Sequence, residues 1–216
     1  MKKLIQGIVK FRQDVRPDYR ERFARLALGR APDTLFIACS DSRVVPNLFA
    51  SADPGDLFVI RNVGNLIAPA DSNGLSQCDA SGAAAIEFAL ANLAVTDIII
   101  CGHSECGAMH ALLNGRHPVE PFHLRSWLRH GEAALESLEK NAGPDPTLAR
   151  HNQLSQLNVL SQIDHLRTHP CVRQRVQAGR LPSMLGGLSS RAPMCMRTRV
   201  PLGASCSSTI LTQGDC

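Results

Sequence analysis

Two cysteines and one histidine are the residues of this chain whose types and spacing could do chemistry together. Cys39 opens the run Cys39-Ser40-Asp41-Ser42-Arg43, while His103 and Cys106 lie in Gly-His-Ser-Glu-Cys-Gly. Two thiolates and an imidazole have the softness that suits zinc, and three protein ligands leave a fourth position for water, as in catalytic rather than closed structural sites. A cysteine closing an apolar run is ordinarily a small buried hydrophobe, and an isolated His-x-x-Cys recurs by accident. Joint placement favours the metal, because both motifs follow apolar runs and Asp41 and Arg43 stand just beyond Cys39. Gly102 and Gly107 flank the second motif and are expected to permit a tight turn into a helix. That helix, starting near Cys106, would favour the thiolate through its N-terminal dipole.

The elements that must position these residues are legible as apolar runs. Thr34–Cys39, Leu57–Arg61 and Asp97–Cys101 are apolar without alternation, which suits strands covered on both faces of a parallel sheet. Ala80–Leu93 is an Ala-rich helix pattern between the last two. Strand, helix and strand in this order predict an α/β fold, a central mainly parallel sheet flanked by helices. Both metal motifs then fall at carboxyl ends of strands, where open α/β sheets place their ligand sites. Residues 1–30 predict a helical arm interrupted at Pro17, amphipathic through Leu4, Ile8, Phe11, Phe23, Leu26 and Leu28, with docking on another subunit as its expected use. Further helices are expected over Phe122–Lys140 and Leu148–Leu166.

Composition narrows the class. The chain has 216 residues, 44% hydrophobic and 19% charged, enough for one domain with a real core. The net charge of +4 carries no basic run interleaved with aromatics, so no nucleic-acid partner is expected. No apolar run is long enough to span a membrane or to form a signal-peptide core, and a soluble, cytoplasmic protein is expected. A nucleotide-binding module is disfavoured because no Gly-x-Gly-x-x-Gly or phosphate-loop pattern follows any predicted strand. Cys101 is expected to pack in its strand, and Cys78 and Cys171 to do no chemistry. His110, His117, His123 and His130 lack ligand spacing and are expected to be solvated, one of them a candidate proton shuttle.

The motifs Cys-Ser-Asp-Ser-Arg-Val, Pro-Gly-Asp-Leu-Phe-Val-Ile-Arg-Asn-Val-Gly-Asn and Cys-Gly-His-Ser-Glu-Cys-Gly-Ala-Met resemble the β-class carbonic anhydrases, in particular the bacterial branch associated with cyanate metabolism. The resemblance runs in order and at family spacing from about Ile5 to Leu181. It implies a β-carbonic anhydrase-like fold, Zn2+ held by Cys39, His103 and Cys106, and reversible hydration of carbon dioxide to bicarbonate and a proton. The implied step is attack by a zinc-bound hydroxide oriented by an Asp41–Arg43 pair, with Asp41 a possible fourth ligand in a closed state. It also implies an apolar substrate pocket from Phe58, Val63 and Phe88, a backbone N–H of Gly107 facing bicarbonate, and a homodimer or higher homo-oligomer. Arg30 stands where the family usually has a Gln that donates to substrate, and Phe88 where many relatives have Tyr. Those departures support a second reading, a zinc-binding but catalytically impaired paralogue or frameshifted product.

After Arg180 the character changes. Residues 182–216 are expected to be irregular and foreign to the domain formed by 1–181, since the stretch after Arg180 holds six Ser, three Pro, three Met and three Cys (Cys195, Cys206, Cys216) with no periodicity. Codons exist for Pro182–Leu188 that read Ile-His-Ala-Trp-Trp-Phe in a shifted frame, close to the family's final strand. The expectation is a frameshift near Leu181 that leaves an exposed strand edge, and resequencing of the gene decides it.

Overall fold

The computed structural model describes residues 1–29, 32–140, 145–179, 183–187 and 198–200. Helices α1 (Lys2–Lys10) and α2 (Arg20–Leu28) form the arm, and between them the chain keeps coiling through a π-helical stretch, Phe11–Val15, that ends just before Pro17. Then follow β1 (Thr34–Cys39), α3 (Pro46–Phe49), β2 (Leu57–Asn62), α4 (Ala80–Ala91), β3 (Asp97–Cys101) and α5 (Gly107–Leu113). The chain continues with α6 (Phe122–Leu128), α7 (Glu132–Lys140), α8 (Arg150–Arg167), α9 (Pro170–Gln177), β4 (Ser183–Gly187) and β5 (Thr198–Val200).

The sheet order is β2-β1-β3-β4-β5, parallel except for the antiparallel pair of β4 and β5. β1 lies between β2 and β3, with Ile37 opposite Ile60 on one side and Ile100 on the other. Its side chains alternate between two apolar layers, which is why Leu35–Cys39 carries no strongly polar position. Leu35 and Ile37 pack with Ile86, Leu90, Ile98 and Ile163, while Phe36 and Ala38 pack with Val44 and Cys101 on the other face. α4 starts where Asp79 accepts a hydrogen bond from the Gly82 amide at 2.9 Å, an N-cap that satisfies one of the free first-turn amides.

The irregular course expected for 182–216 is corrected in part. Ser183–Gly187 runs parallel to β3, and Thr198–Val200 closes against it. The exposed edge expected at β3 is therefore covered. The unpaired backbone of a strand edge accepts any extended segment, and Ser-Met-Leu-Gly-Gly has neither charge nor proline to prevent pairing. The rest of that region lies outside the described residues.

α1 buries none of its residues, and Leu4, Ile5, Ile8 and Val9 are exposed along it. α2 is tied to the body by Arg22, whose Nε donates to the Pro54 carbonyl at 2.7 Å and whose Nη atoms pair with Asp53 and Asp56. α8 carries a buried polar stripe, Asn152, Ser155, Asn158 and Gln162, spaced by three, three and four residues so that all four face inward. His130, expected to be solvated, is buried instead, with its ring edge-on to Trp127.

Candidate metal centre

The register Ala38 opposite Cys101 brings the ends of β1 and β3 level. Cys39 is the last residue of β1, and His103 follows β3 by two residues. The Cys39 and Cys106 sulfurs and a His103 ring nitrogen lie within 4.8 Å of one another, all three residues buried. The His103 Nδ1 sits 3.0 Å from the Ser104 carbonyl, an oxygen that can only accept, so Nδ1 carries the proton. Its Nε2 is buried and has no hydrogen-bond partner. A buried lone pair left without a donor is costly, and a metal ion among these three atoms satisfies it.

The sulfurs bear the same signature. The Cys39 thiol is pulled well below its ordinary value, chiefly because the Cys106 sulfur hydrogen-bonds to it, and Cys106 is pushed up by the same bond and by burial. The first-turn amides of α5, Met109 and Ala108, act the other way on Cys106, as expected of a helix start. The Gly64 N–H donates to Cys39 Sγ at 3.3 Å. Two buried sulfurs this close together would gain from a divalent cation, which takes thiolates as ligands and displaces their protons.

Asp41 is held by Arg43 through a two-pronged pair, Nε to Oδ1 at 3.0 Å and Nη2 to Oδ2 at 2.8 Å, with the Arg43 amide adding a bond to Oδ1 at 2.9 Å. These bonds hold the Asp41 carboxyl far below the usual carboxylate range. Arg43 Nη2 also donates to the Glu105 carbonyl at 2.9 Å, so the same guanidinium spans both halves of the site. Arg61 fixes the first half from the neighbouring strand, donating to the carbonyls of Cys39 (3.1 Å) and Asp41 (2.6 Å).

The turn between His103 and Cys106 leads directly into α5, and its left-handed residue is not a glycine. Neither Gly102 nor Gly107 has a positive φ; Glu105 does, at 54°. Its amide is held by Asn152 Oδ1 at 2.9 Å, and Arg43 holds its carbonyl, which keeps a non-glycine residue in that conformation. A Cβ on Gly107 would meet no heavy atom within 4 Å, so this glycine leaves open space at the start of α5.

The remaining expected residues divide by position. Val63 is exposed next to Gly64, and Trp127 Nε1 donates to its carbonyl at 2.8 Å. Phe58 and Phe88 contact each other, with ring centroids 5.8 Å apart. They are not brought to the metal centre of the same chain. Phe58 pairs with Leu35, four positions from the Cys39–Asn62 level, or about 13 Å along the strand. Arg30 lies outside the described residues. Cys101 is buried in β3 as expected, Cys78 is exposed, and Cys171 is half-buried against the core.

Sequence reasoning missed the parts that support the centre. Ser155 Oγ donates to the His103 carbonyl at 2.9 Å, and Asn158 Nδ2 to the Gly64 carbonyl at 3.1 Å. Gln162 accepts from the Ile67 amide at 2.7 Å and donates to the His130 carbonyl at 2.9 Å. The available signal was the three-three-four spacing of amides and a hydroxyl in α8, which the leucine pattern obscured.

An α/β sheet with a buried Cys2His cluster at its carboxyl edge matches a family of known metalloenzymes. The sequence pattern of the carbonic anhydrase family covers residues 34–188, and the chain belongs to that family, in its β-class. It is 42% identical over 183 residues to a carbonic anhydrase of Pseudomonas aeruginosa, covering 84% of this chain and 80% of that one. It is 41% identical to one from Synechococcus elongatus, covering 84% of this chain and 65% of that one. Among solved structures it resembles the β-carbonic anhydrase CcaA (TM-score 0.78, 38% identity, 87% of this chain and 82% of that one). It also resembles tetrameric β-carbonic anhydrases from Sordaria macrospora (TM-score 0.63, 31% identity, 87% of each chain). The chain is thus a carbonic anhydrase by family, and no helix among its described residues is long and apolar enough to cross a membrane.

Proposed function

We propose that this chain interconverts carbon dioxide and bicarbonate at a Zn2+ ion held by Cys39, His103 and Cys106, with Asp41 and Arg43 as the catalytic pair. The observation that carries the reading is the unpartnered, buried Nε2 of His103, grouped within 4.8 Å of the buried Cys39 and Cys106 sulfurs. Zinc at such a site supplies Lewis acidity that acidifies a coordinated water, less strongly than an all-imidazole site because two thiolates offset its charge.

The chain's own residues then position the reactants. Oδ1 of Asp41 accepts two bonds and Oδ2 one. A carboxylate oxygen has about two lone-pair sites, so Oδ2 keeps room for one more hydrogen. That oxygen accepts a hydrogen bond from the reacting water and turns the water's lone pair toward the carbon of carbon dioxide. Arg43 keeps the carboxylate ionised and, through its two-pronged grip, holds Asp41 away from a fourth ligand position. Loss of the grip would let Asp41 swing onto the metal and close the site. The Gly107 N–H faces bicarbonate across the open space at the start of α5.

Phe58 and Phe88 line a substrate pocket only if they reach the centre of a neighbouring subunit, since they lie far from their own. This supports a homodimer or larger assembly, with the exposed apolar face of α1 as part of the contact. A cytoplasmic setting, Arg30 as a substrate donor and a domain boundary near Leu181 belong to the same proposal.

The test is zinc content per chain with stopped-flow hydration for the wild type and Asp41→Asn. One zinc in each, with a wild type that works and a variant that slows, supports the reading. A wild type that holds zinc without turnover identifies an impaired paralogue, and a metal-free wild type removes the site.

A further inference from the structure

A second group of metal-type ligands lies outside the Cys2His centre, facing solvent. Glu105 Oε1 is 2.7 Å from His151 Nε2, and Glu105 Oε2 is 3.4 Å from His110 Nε2. One ligand atom from each of the three lies within 4.8 Å of the others. They come from three places in the fold: the turn after β3, α5 and the first turn of α8. The two imidazoles are stacked, with centroids 3.9 Å apart and planes 25° apart, so both direct Nε2 at one carboxylate.

The cluster is supported from behind. Asn152, itself buried, donates to Glu105 Oε1 at 3.2 Å and accepts from the Glu105 amide. The positive φ of Glu105 is maintained by these bonds, a strained conformation that aims the carboxylate at the histidines. Nothing in the Cys2His chemistry uses this side chain.

We propose that Glu105, His110 and His151 form a second binding site for a divalent transition-metal ion, separate from the Cys2His centre. Two imidazoles and a carboxylate favour ions of borderline softness such as Zn2+ over Mg2+ or Ca2+, which prefer all-oxygen shells. An ion with bonds of about 2.0–2.2 Å fits between donors of this separation after a small movement of exposed side chains. Three protein ligands leave further positions to water or a small anion, so the site is open. The proposal goes beyond the hydration reading and does not depend on it.

The experiment titrates Zn2+ into protein that already carries its tightly held metal, measuring uptake by equilibrium dialysis and the imidazole Cε1–H resonances by NMR. The wild type takes up one equivalent more than His151→Ala or His110→Ala, and the resonances of His110 and His151 shift as it binds. Losing one ligand weakens this binding on the order of 100-fold, since even residues that only support ligands cost about 10–100-fold. Glu105→Gln, which keeps the side-chain shape, loses the extra equivalent too, and His123→Ala keeps it. Metal taken up by other cysteines is common to all variants and cancels in the comparison. Equal uptake by the wild type and the histidine variants, or unshifted His110 and His151 resonances at saturation, overturns the proposal. Failure of the Cys2His reading would show separately, as absence of the first, tightly held equivalent.

Discussion

Gly64→Ala separates the backbone of the metal centre from its ligands. Gly64 has φ +82°, and a Cβ there would stand 2.8 Å from the Ala108 Cβ. Placing alanine in the left-handed region costs roughly 1–2 kcal/mol. The clash is with a short side chain on α5 that cannot swing aside, and such overpacking costs about 1–3 kcal/mol more. The expected loss is about 2–5 kcal/mol, or roughly 4–20 °C in Tm for a chain of this size. The same movement takes the Gly64 N–H off Cys39 Sγ, where it donates at 3.3 Å. Loss of one support of this kind weakens metal binding about 10–100-fold. Thermal melting and competition with a chelator read the two effects in one preparation. Gly107→Ala is the matched control, because its Cβ would meet no heavy atom within 4 Å and its φ is not positive. It should melt as the wild type does and lose hydration rate only. A Gly64→Ala protein with unchanged Tm and unchanged metal retention would refute this account of the centre.

Three further outcomes follow from neighbouring contacts. Burial lowers the His130 pKa from 6.5 to about 4, so the folded state binds fewer protons than the unfolded one between those values, and stability falls as pH drops through that window. The loss reaches about 3 kcal/mol at the acid end, and denaturant unfolding of His130→Phe, which cannot titrate, should depend less on pH over the same range. Ser155→Ala removes the bond to the His103 carbonyl and should weaken metal retention about 10–100-fold in the chelator assay, with the secondary structure unchanged by circular dichroism. Ile8→Asp places a charge on the exposed apolar face of α1 and should shift the protein to smaller species in size-exclusion chromatography with light scattering; an unchanged elution would remove the arm from the subunit contact.

The legible parts of this molecule were those in which one physical requirement acts on consecutive residues. A strand covered on both faces is apolar, so Thr34–Cys39 and Asp97–Cys101 could be read directly and the ligands at their ends came with them. Leu57–Arg61 was legible as an apolar run although it is a half-buried edge strand. What could not be read depends on groups far apart in sequence. Glu105 takes the positive φ in place of a glycine because Asn152, 47 residues away, holds its amide, and Arg43, 62 residues away, its carbonyl. The turn has no local signal because its stability is not local. β4 was missed for a related reason: Ser-Met-Leu-Gly-Gly has little strand propensity of its own and pairs because β3 offers an open edge.

The polar stripe of α8 joins these observations. Along one helix face, Asn152 holds Glu105, Ser155 holds His103, Asn158 holds Gly64 and Gln162 holds Ile67. Each bond satisfies a backbone group of a loop that leaves the sheet beside the metal ligands. Such loops cannot pair in a ladder, and a buried unpaired amide or carbonyl costs about 1–3 kcal/mol. An apolar α8 would leave these groups bare, so the helix is polar where it meets the loops and apolar where it meets the strands, at Val159, Ile163 and Leu166. The precision of the metal centre therefore resides as much in a helix that contributes no ligand as in the three residues that do.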